Sequence, residues 1–358
     1  MSIWRWNHLL EPIPAAARIT LGEGNTPLVP SRRIGPAAGL SNLYFKLEQS
    51  NPSGSYKDRF AATVISHMVA SGSSQCIATS SGNTGAALAA YCAATGIECR
   101  IAIVEGAPPG KLKQMLAYGA RLARVRGFGT DASTTDHVFR ALREIGARPG
   151  YALQVSAYTY SATGMSGVQT ISYELAEQAP HPIEHVFCPA GGGGLCVAVA
   201  RGFQRLVDRG DLARSPAVEC VQPEGNNTIA GPLRSGALQA KAVECTTRIS
   251  GLQVASVVDG DLTIKECRAT GGTGHLVQDE EIWHLQSRLA REEGIFSEPA
   301  GAVALAGALQ AVKLGRIRND ATVVCLVTGS GFKDEVALDR MIASTNCPTI
   351  EVKELAEW

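Results

Sequence analysis

Three short stretches carry residues able to do covalent or anion-binding chemistry. Lys57 lies in Asn51-Pro52-Ser53-Gly54-Ser55-Tyr56-Lys57-Asp58-Arg59, a tight turn running into a helix start. An amine held at a fixed point, in surroundings that favour its neutral form, can bond to a carbonyl as a Schiff base or take a proton. The bland reading of the same lysine is a solvated residue at a helix start. Thr79-Ser80-Ser81-Gly82-Asn83-Thr84-Gly85 falls between a strand pattern and a helix pattern. Small residues there let the backbone approach a ligand, and the free amides of the following helix favour an anion. An ordinary capped turn would read the same way.

Pro189-Ala190-Gly191-Gly192-Gly193-Gly194-Leu195 has the same strand-to-helix position. Four glycines in a row cost backbone entropy, which is easiest to understand if main-chain amides wrap a phosphate. No Gly-Lys-Ser/Thr follows, so this is not a P-loop. It is not GxGxxG either, which argues against a dinucleotide site. Gly271-Gly272-Thr273-Gly274 is a rival phosphate loop that reads better as a turn. Val327-Thr328-Gly329-Ser330-Gly331 closes a strongly apolar strand, and the Thr328 hydroxyl can point at a ligand from the strand end. No GxSxG elbow is present, which speaks against a serine hydrolase.

The elements needed to hold these loops are legible as an alternation. Strands are expected near 43–47, 76–79, 99–104, 122–125, 151–155, 184–188, 218–221, 254–258 and 321–327. Helices fit 57–70, 83–94, 112–118, 195–206, 278–293 and 298–314. Such alternation predicts an α/β protein with parallel-rich sheets covered on both faces, and such sheets bind ligands at the carboxyl ends of their strands. The 358 residues are 45% hydrophobic, enough for two three-layer α/β domains. The expected division is an N-terminal segment, 1–42, packing on the larger domain; a smaller domain, 43–155, with Lys57; and a larger domain, 156–358, with the four-glycine loop. Formal net charge is zero, which argues against a nucleic-acid-binding protein. The arginines of 121–126 read as an exposed strand edge. Ten cysteines show no CxxC pair and read as small core hydrophobes in a reducing, cytoplasmic compartment, with no metal site. No apolar run is long enough for a signal peptide or a membrane span.

Taken together, the lysine turn, Ser80-Ser81-Gly82-Asn83-Thr84-Gly85, the four-glycine loop and Thr328-Gly329-Ser330-Gly331-Phe332-Lys333-Asp334 resemble the fold type II, tryptophan-synthase-β-like enzymes that use pyridoxal 5'-phosphate. The order and spacing match along most of the chain. The nearest branch resembles threonine synthase, supported by Gly22-Glu23-Gly24-Asn25-Thr26-Pro27-Leu28 and Ser297-Glu298-Pro299-Ala300. The resemblance implies that Lys57 carries the cofactor as a Schiff base and later moves protons. It implies that Asn83 bonds the phenolic oxygen and that Gly191, Gly192, Gly193 and Gly194 cradle the phosphate. Thr328 would face the pyridine nitrogen, while Ser80, Ser81 and Thr84 line the substrate-carboxylate loop. A small amino acid is the implied substrate, and a homodimer the usual assembly.

The chain departs from that branch at one informative place. The resembling family carries an arginine, for the phosphate of O-phosphohomoserine, shortly after the strand at 151–155. Here the stretch is Ser156-Ala157-Tyr158-Thr159-Tyr160-Ser161-Ala162-Thr163-Gly164-Met165. Its hydroxyls suit a neutral or smaller leaving group, with Lys111 and Arg59 as possible replacement cations. Alternatives therefore stay open: β- or γ-replacement on another activated amino acid, serine or threonine dehydration, or a cofactor-binding protein without turnover.

Overall fold

The structure is a computed structural model that describes residues 2–80, 82–107, 109–356 and 358. Among the described residues, ten strands form two sheets. In chain order they are β1 (Leu28–Pro30), β2 (Asn42–Leu47), β3 (Gln75–Thr79), β4 (Glu98–Ile103), β5 (Arg121–Arg124) and β6 (Tyr151–Gln154). They continue with β7 (His185–Pro189), β8 (Ala217–Pro223), β9 (Gly274–Val277) and β10 (Thr322–Val327). One sheet has six strands in the order β1-β2-β10-β7-β8-β9, the other four in the order β5-β4-β3-β6. Only the β1–β2 pairing is antiparallel among the described strands.

Burial explains the strand sequences. All six residues of β10 are buried, as a central parallel strand requires. The edge strand β5 is largely exposed, as its arginines predict. Helix Pro299–Lys313, nearly all Ala, Gly, Val and Leu, is almost wholly buried in the core that includes Phe187, Val221 and Val323. Helix Gly194–Asp208 belongs to the second core, which also takes in the N-terminal Trp4 and Trp6 and the small-sheet residues Cys76 and Ile101. The lysine helix, Lys57–Ser71, lies so close to helix Tyr158–Val168 that a Cβ on Gly167 would stand 2.0 Å from Thr63 Oγ1. Glycine at that crossing anchors the first turn of the lysine helix in the interior.

Three expectations need correction. Residues 43–47 do not belong with the smaller sheet: β2 pairs in parallel with β10 over six residues, a contact between distant parts of the chain. Residues 254–258 are not a strand but a covering segment, for a reason given below. The short strands β1 and β9 were not anticipated, because three or four residues carry too little alternation to register. The pairing of β3 with β4 also sets Cys76 opposite Cys99, and Cys92 completes a buried trio with all sulfur atoms within 4.8 Å of one another. Linear spacing gave no sign of that grouping.

Candidate active site

The lysine turn is tied to the end of β10. Tyr56 donates its amide to the Thr328 carbonyl at 3.1 Å, and Ser330 donates to the Gly54 carbonyl at 2.9 Å. The turn is stiffened internally by the Asp58 carboxylate, which accepts from the amide and hydroxyl of Ser53. Lys57 is thereby held at the first turn of its helix, half-buried, with Nζ 2.7 Å from Ser156 Oγ and 4.5 Å from the centre of the Tyr56 ring. Burial pushes its ammonium down to about 8, and the Asp259 carboxylate offsets part of that. The neutral amine is therefore far more abundant near neutral pH than at an ordinary lysine.

Ser156 lies two residues past the end of β6 and joins two predicted groups, since its hydroxyl is also 2.8 Å from Thr84 Oγ1. Thr84 and Asn83 open helix Asn83–Thr95. Ser80 accepts the amides of Gly82 and Gly85, so its oxygen caps that helix, and its hydroxyl hydrogen has no acceptor among the described residues. Asn83 donates from Nδ2 to Glu298 Oε1 at 2.7 Å. Ser81 lies outside the described residues.

The four-glycine loop faces the same space. Gly193 caps helix Gly194–Asp208 in the left-handed region, at φ +95°, and a Cβ there would meet Thr263 Oγ1 at 2.0 Å. A Cβ on Gly194 would come 3.0 Å from Asp259 Oδ2 and 3.7 Å from the Ser156 carbonyl, which ties this loop to the lysine's neighbourhood. The amides of Gly192, Gly193 and Gly194 find no acceptor among the described residues. Residues 251–259 cover the loop: Val254 and Val258 lie against Gly191 and Gly192, and Asp259 donates its amide to the Gly192 carbonyl. That is why an apolar run at 254–258 is not a strand. The Asp259 side chain turns the other way and accepts the amides of Tyr158 and Thr159, capping helix Tyr158–Val168 from a distance.

The chain also resembles known proteins along most of its length. The family model described as "Pyridoxal-phosphate dependent enzyme" matches residues 19–329. The chain belongs to this family. Among curated relatives, it is 32% identical to a threonine synthase of Methanosarcina acetivorans, over 93% of this chain and 80% of that one. It is also 32% identical to a threonine synthase of a Bacillus species, over 88% and 85%. Among solved structures, maize serine racemase superposes with a TM-score of 0.74 at 25% identity, covering 90% of this chain and 92% of that one. A threonine deaminase of Solanum lycopersicum has the same fold, with a TM-score of 0.75 at 21% identity over 96% and 94%.

As a member of this family, the enzyme uses pyridoxal phosphate, and its residues fit that group. The free amides at a helix N-terminus suit the phosphate, and the half-buried amine of Lys57 suits the carbonyl. The rival loop does not offer the same thing. A Cβ on Gly272 would meet the Val218 carbonyl at 2.0 Å, and one on Gly274 the Ala230 carbonyl at 1.8 Å, so these glycines serve backbone packing.

Two expectations about cations and hydroxyls are overturned. Arg59 is neither on the surface nor able to swing: it is fully buried and bonded to both Glu48 and Glu174, with Lys46 completing the group. Lys111 is half-buried, 3.6 Å from Asp334. The hydroxyls of 158–163 are engaged in packing rather than gathered at Lys57. Tyr160 accepts from Arg143, Ser161 donates to Gln154, and Thr163 donates to Glu11. The hydroxyl that does reach Lys57 is Ser156. Its signal was its place at the end of a strand, where parallel sheets present side chains to ligands. Asp259 had no local signal.

Proposed function

We propose that this enzyme is a lyase of threonine-synthase type, eliminating or replacing a leaving group on a small amino acid. The single observation that carries the reading is the convergence of Lys57 and Thr84, from two different helices, on the Ser156 hydroxyl. In this reading Lys57 is the covalent attachment point, Asn83 bonds the phenolic oxygen, and Gly191, Gly192, Gly193 and Gly194 hold the phosphate. Thr328 faces the pyridine nitrogen, and Ser80, Ser81 and Thr84 take the substrate carboxylate. Pyridoxal phosphate, when bound, supplies an electron acceptor that makes the proton on the substrate's α-carbon acidic. Lys57 would be the amine placed to take that proton, because burial lowers its ammonium to about 8 and leaves a neutral amine near neutral pH. Ser156 keeps that amine beside the carboxylate loop. Thr328 is a hydroxyl and not an acid, so from that position it would not hold the pyridine nitrogen protonated. That tempers electron withdrawal and suits elimination and replacement.

The likeness to threonine synthases makes O-phosphohomoserine the leading substrate, and the missing arginine makes it a poor one. With Arg59 locked in its buried pairs, Lys111 is the nearby replacement cation, already facing Asp334. Exchanging a charge-assisted hydrogen bond, worth roughly 1.5–3 kcal/mol, for a neutral one of about 1 costs about ten-fold in affinity. The second reading, replacement on a different activated amino acid, is favoured by that same absence. The test is a kinetic comparison of O-phosphohomoserine, O-phosphoserine, O-acetylserine, serine and threonine. The expected result is weak turnover of the first against at least one of the others. Efficient, selective conversion of O-phosphohomoserine to threonine and phosphate refutes the argument from the arginine.

Homodimeric assembly and a cytoplasmic location belong to the same proposal. All ten cysteines are free, as in a reducing compartment, and no described helix is long and apolar enough to cross a membrane.

A further inference from the structure

Glu298 immediately precedes helix Pro299–Lys313, at the N-cap position, and is 5% exposed. A carboxylate at an N-cap ordinarily accepts an amide of its own first turn, which stabilises the helix by about 1 kcal/mol. Glu298 makes no such bond. Its side chain turns away from its helix and takes Nδ2 of Asn83 at 2.7 Å, from the other side of the site. The room for this comes from Gly329. A Cβ there would stand 2.1 Å from Glu298 Oε1 and 3.1 Å from Asn83 Nδ2. The Glu298 amide donates to the Gly329 carbonyl at 3.0 Å, so carboxyl and turn are held together.

We propose that Glu298 is a positioning residue for the cofactor ring, acting through the Asn83 amide. The inference rests on the reading that Asn83 faces the phenolic oxygen. An asparagine amide has an oxygen on one side and two N–H groups on the other, and an ionised carboxylate can only accept. Glu298 therefore fixes which way the amide faces and takes one N–H, leaving the second N–H of the same nitrogen for the phenolic oxygen. Without the carboxylate the amide can rotate by half a turn and present its oxygen, which would repel a phenolate.

The charged groups around Glu298 are Lys111, from helix Pro109–Ala117, and Lys333 and Asp334, from the turn after β10. The nearest partners of the two lysines lie elsewhere: Lys111 is 3.6 Å from Asp334, and Lys333 is 2.6 Å from Gln114 Oε1. Burial, with a smaller push from Asp334, outweighs the Asn83 hydrogen bond and the two lysines and leaves the Glu298 carboxyl raised to about 7. Its charge is consequently adjustable close to neutral pH.

The experiment is a double-mutant cycle on the holoenzyme with Glu298→Gln, Asn83→Ala and both together. Cofactor dissociation is read by dialysis and the visible absorption of the bound cofactor is followed against pH. Glu298→Gln should weaken cofactor binding about three- to ten-fold, the size of one hydrogen bond, and move the midpoint of the absorption titration. On the Asn83→Ala background it should add almost nothing, because the two act as one unit. If Glu298→Gln changes only thermal stability while affinity and absorption match the parent, Glu298 is merely a strut and the proposal is overturned. Equal effects with and without Asn83 overturn it too. If Asn83→Ala itself is silent, the reading of Asn83 fails and takes this inference with it. Should Glu298→Gln not fold, Glu298→Asp retains the charge but falls short of Asn83. It must then reproduce the absorption change, and an unchanged spectrum refutes the proposal.

Discussion

Lys57 shows how a single side chain is tuned without a dedicated base beside it. Its amine touches a hydroxyl and an aromatic ring, and burial brings the ammonium down to about 8 from an ordinary 10.5. At pH 7 about one molecule in ten then carries the neutral amine. The nucleophile that captures a carbonyl is that neutral form, so the rate of cofactor capture by the apoenzyme should rise with pH and level off above about 8. Stopped-flow absorption after mixing apoenzyme with pyridoxal phosphate measures this directly. A rate still climbing towards the ordinary lysine value would mean that the site does not desolvate the amine. At this scale, Lys57, Asn83, Thr84 and Thr328 could be singled out because each belongs to a short motif beside a turn, and the structure brings Lys57 and Thr84 together at Ser156. Ser156 and Asp259 were not, because each acts on residues about a hundred positions away. Arg59 was misread as mobile for the same reason: its partner Glu174 lies 115 residues further on.

At the scale of elements, the four-glycine loop is not four equivalent glycines. Gly193 needs a left-handed backbone and lies against Thr263, whereas a Cβ on Gly192 would find its nearest atom at 3.4 Å, an ordinary contact. Gly193→Ala should therefore destabilise the apoenzyme by about 1–2 kcal/mol from backbone conformation alone, with a further loss from the clash, and should weaken cofactor binding. Gly192→Ala should be mild in both respects. Gly274→Ala should lower the melting temperature severely yet leave cofactor affinity unchanged in whatever protein folds. Thermal melting of the apoproteins, paired with cofactor titration, separates these outcomes. Cofactor affinity falling for Gly274→Ala but not for Gly193→Ala would move the phosphate site to the other loop. The helices given bounds from the sequence were read nearly correctly, because their regular pattern averages out local exceptions, but Tyr158–Val168, Thr170–Gln178 and Gly260–Ala269 were not read. The covering segment at 254–258 was mistaken for a strand because burial under a loop and burial in a sheet select the same apolar residues.

For the whole molecule, the site exists only because the two sheets meet. The lysine helix leads into β3 of the four-stranded sheet and the Asn83 helix leads out of it, while the glycine loop, Thr328 and Glu298 come from elements of the six-stranded one. Strand alternation was enough to read an α/β architecture but not sheet membership, and β2 shows why. Its five or six apolar-rich residues fit either sheet, and only the parallel pairing with β10, some 280 residues away, decides. That pairing carries the chain from β2 into the lysine turn, which the end of β10 then receives. The account as a whole therefore depends on Lys57 being the residue that meets the cofactor at this junction. The direct measurement is borohydride reduction of the purified holoenzyme, followed by proteolysis and mass mapping of the fixed cofactor. The predicted result is one modified peptide containing Lys57, absent from a Lys57→Ala variant. Recovery of the label on Lys111, Lys113 or Lys333 instead would contradict it.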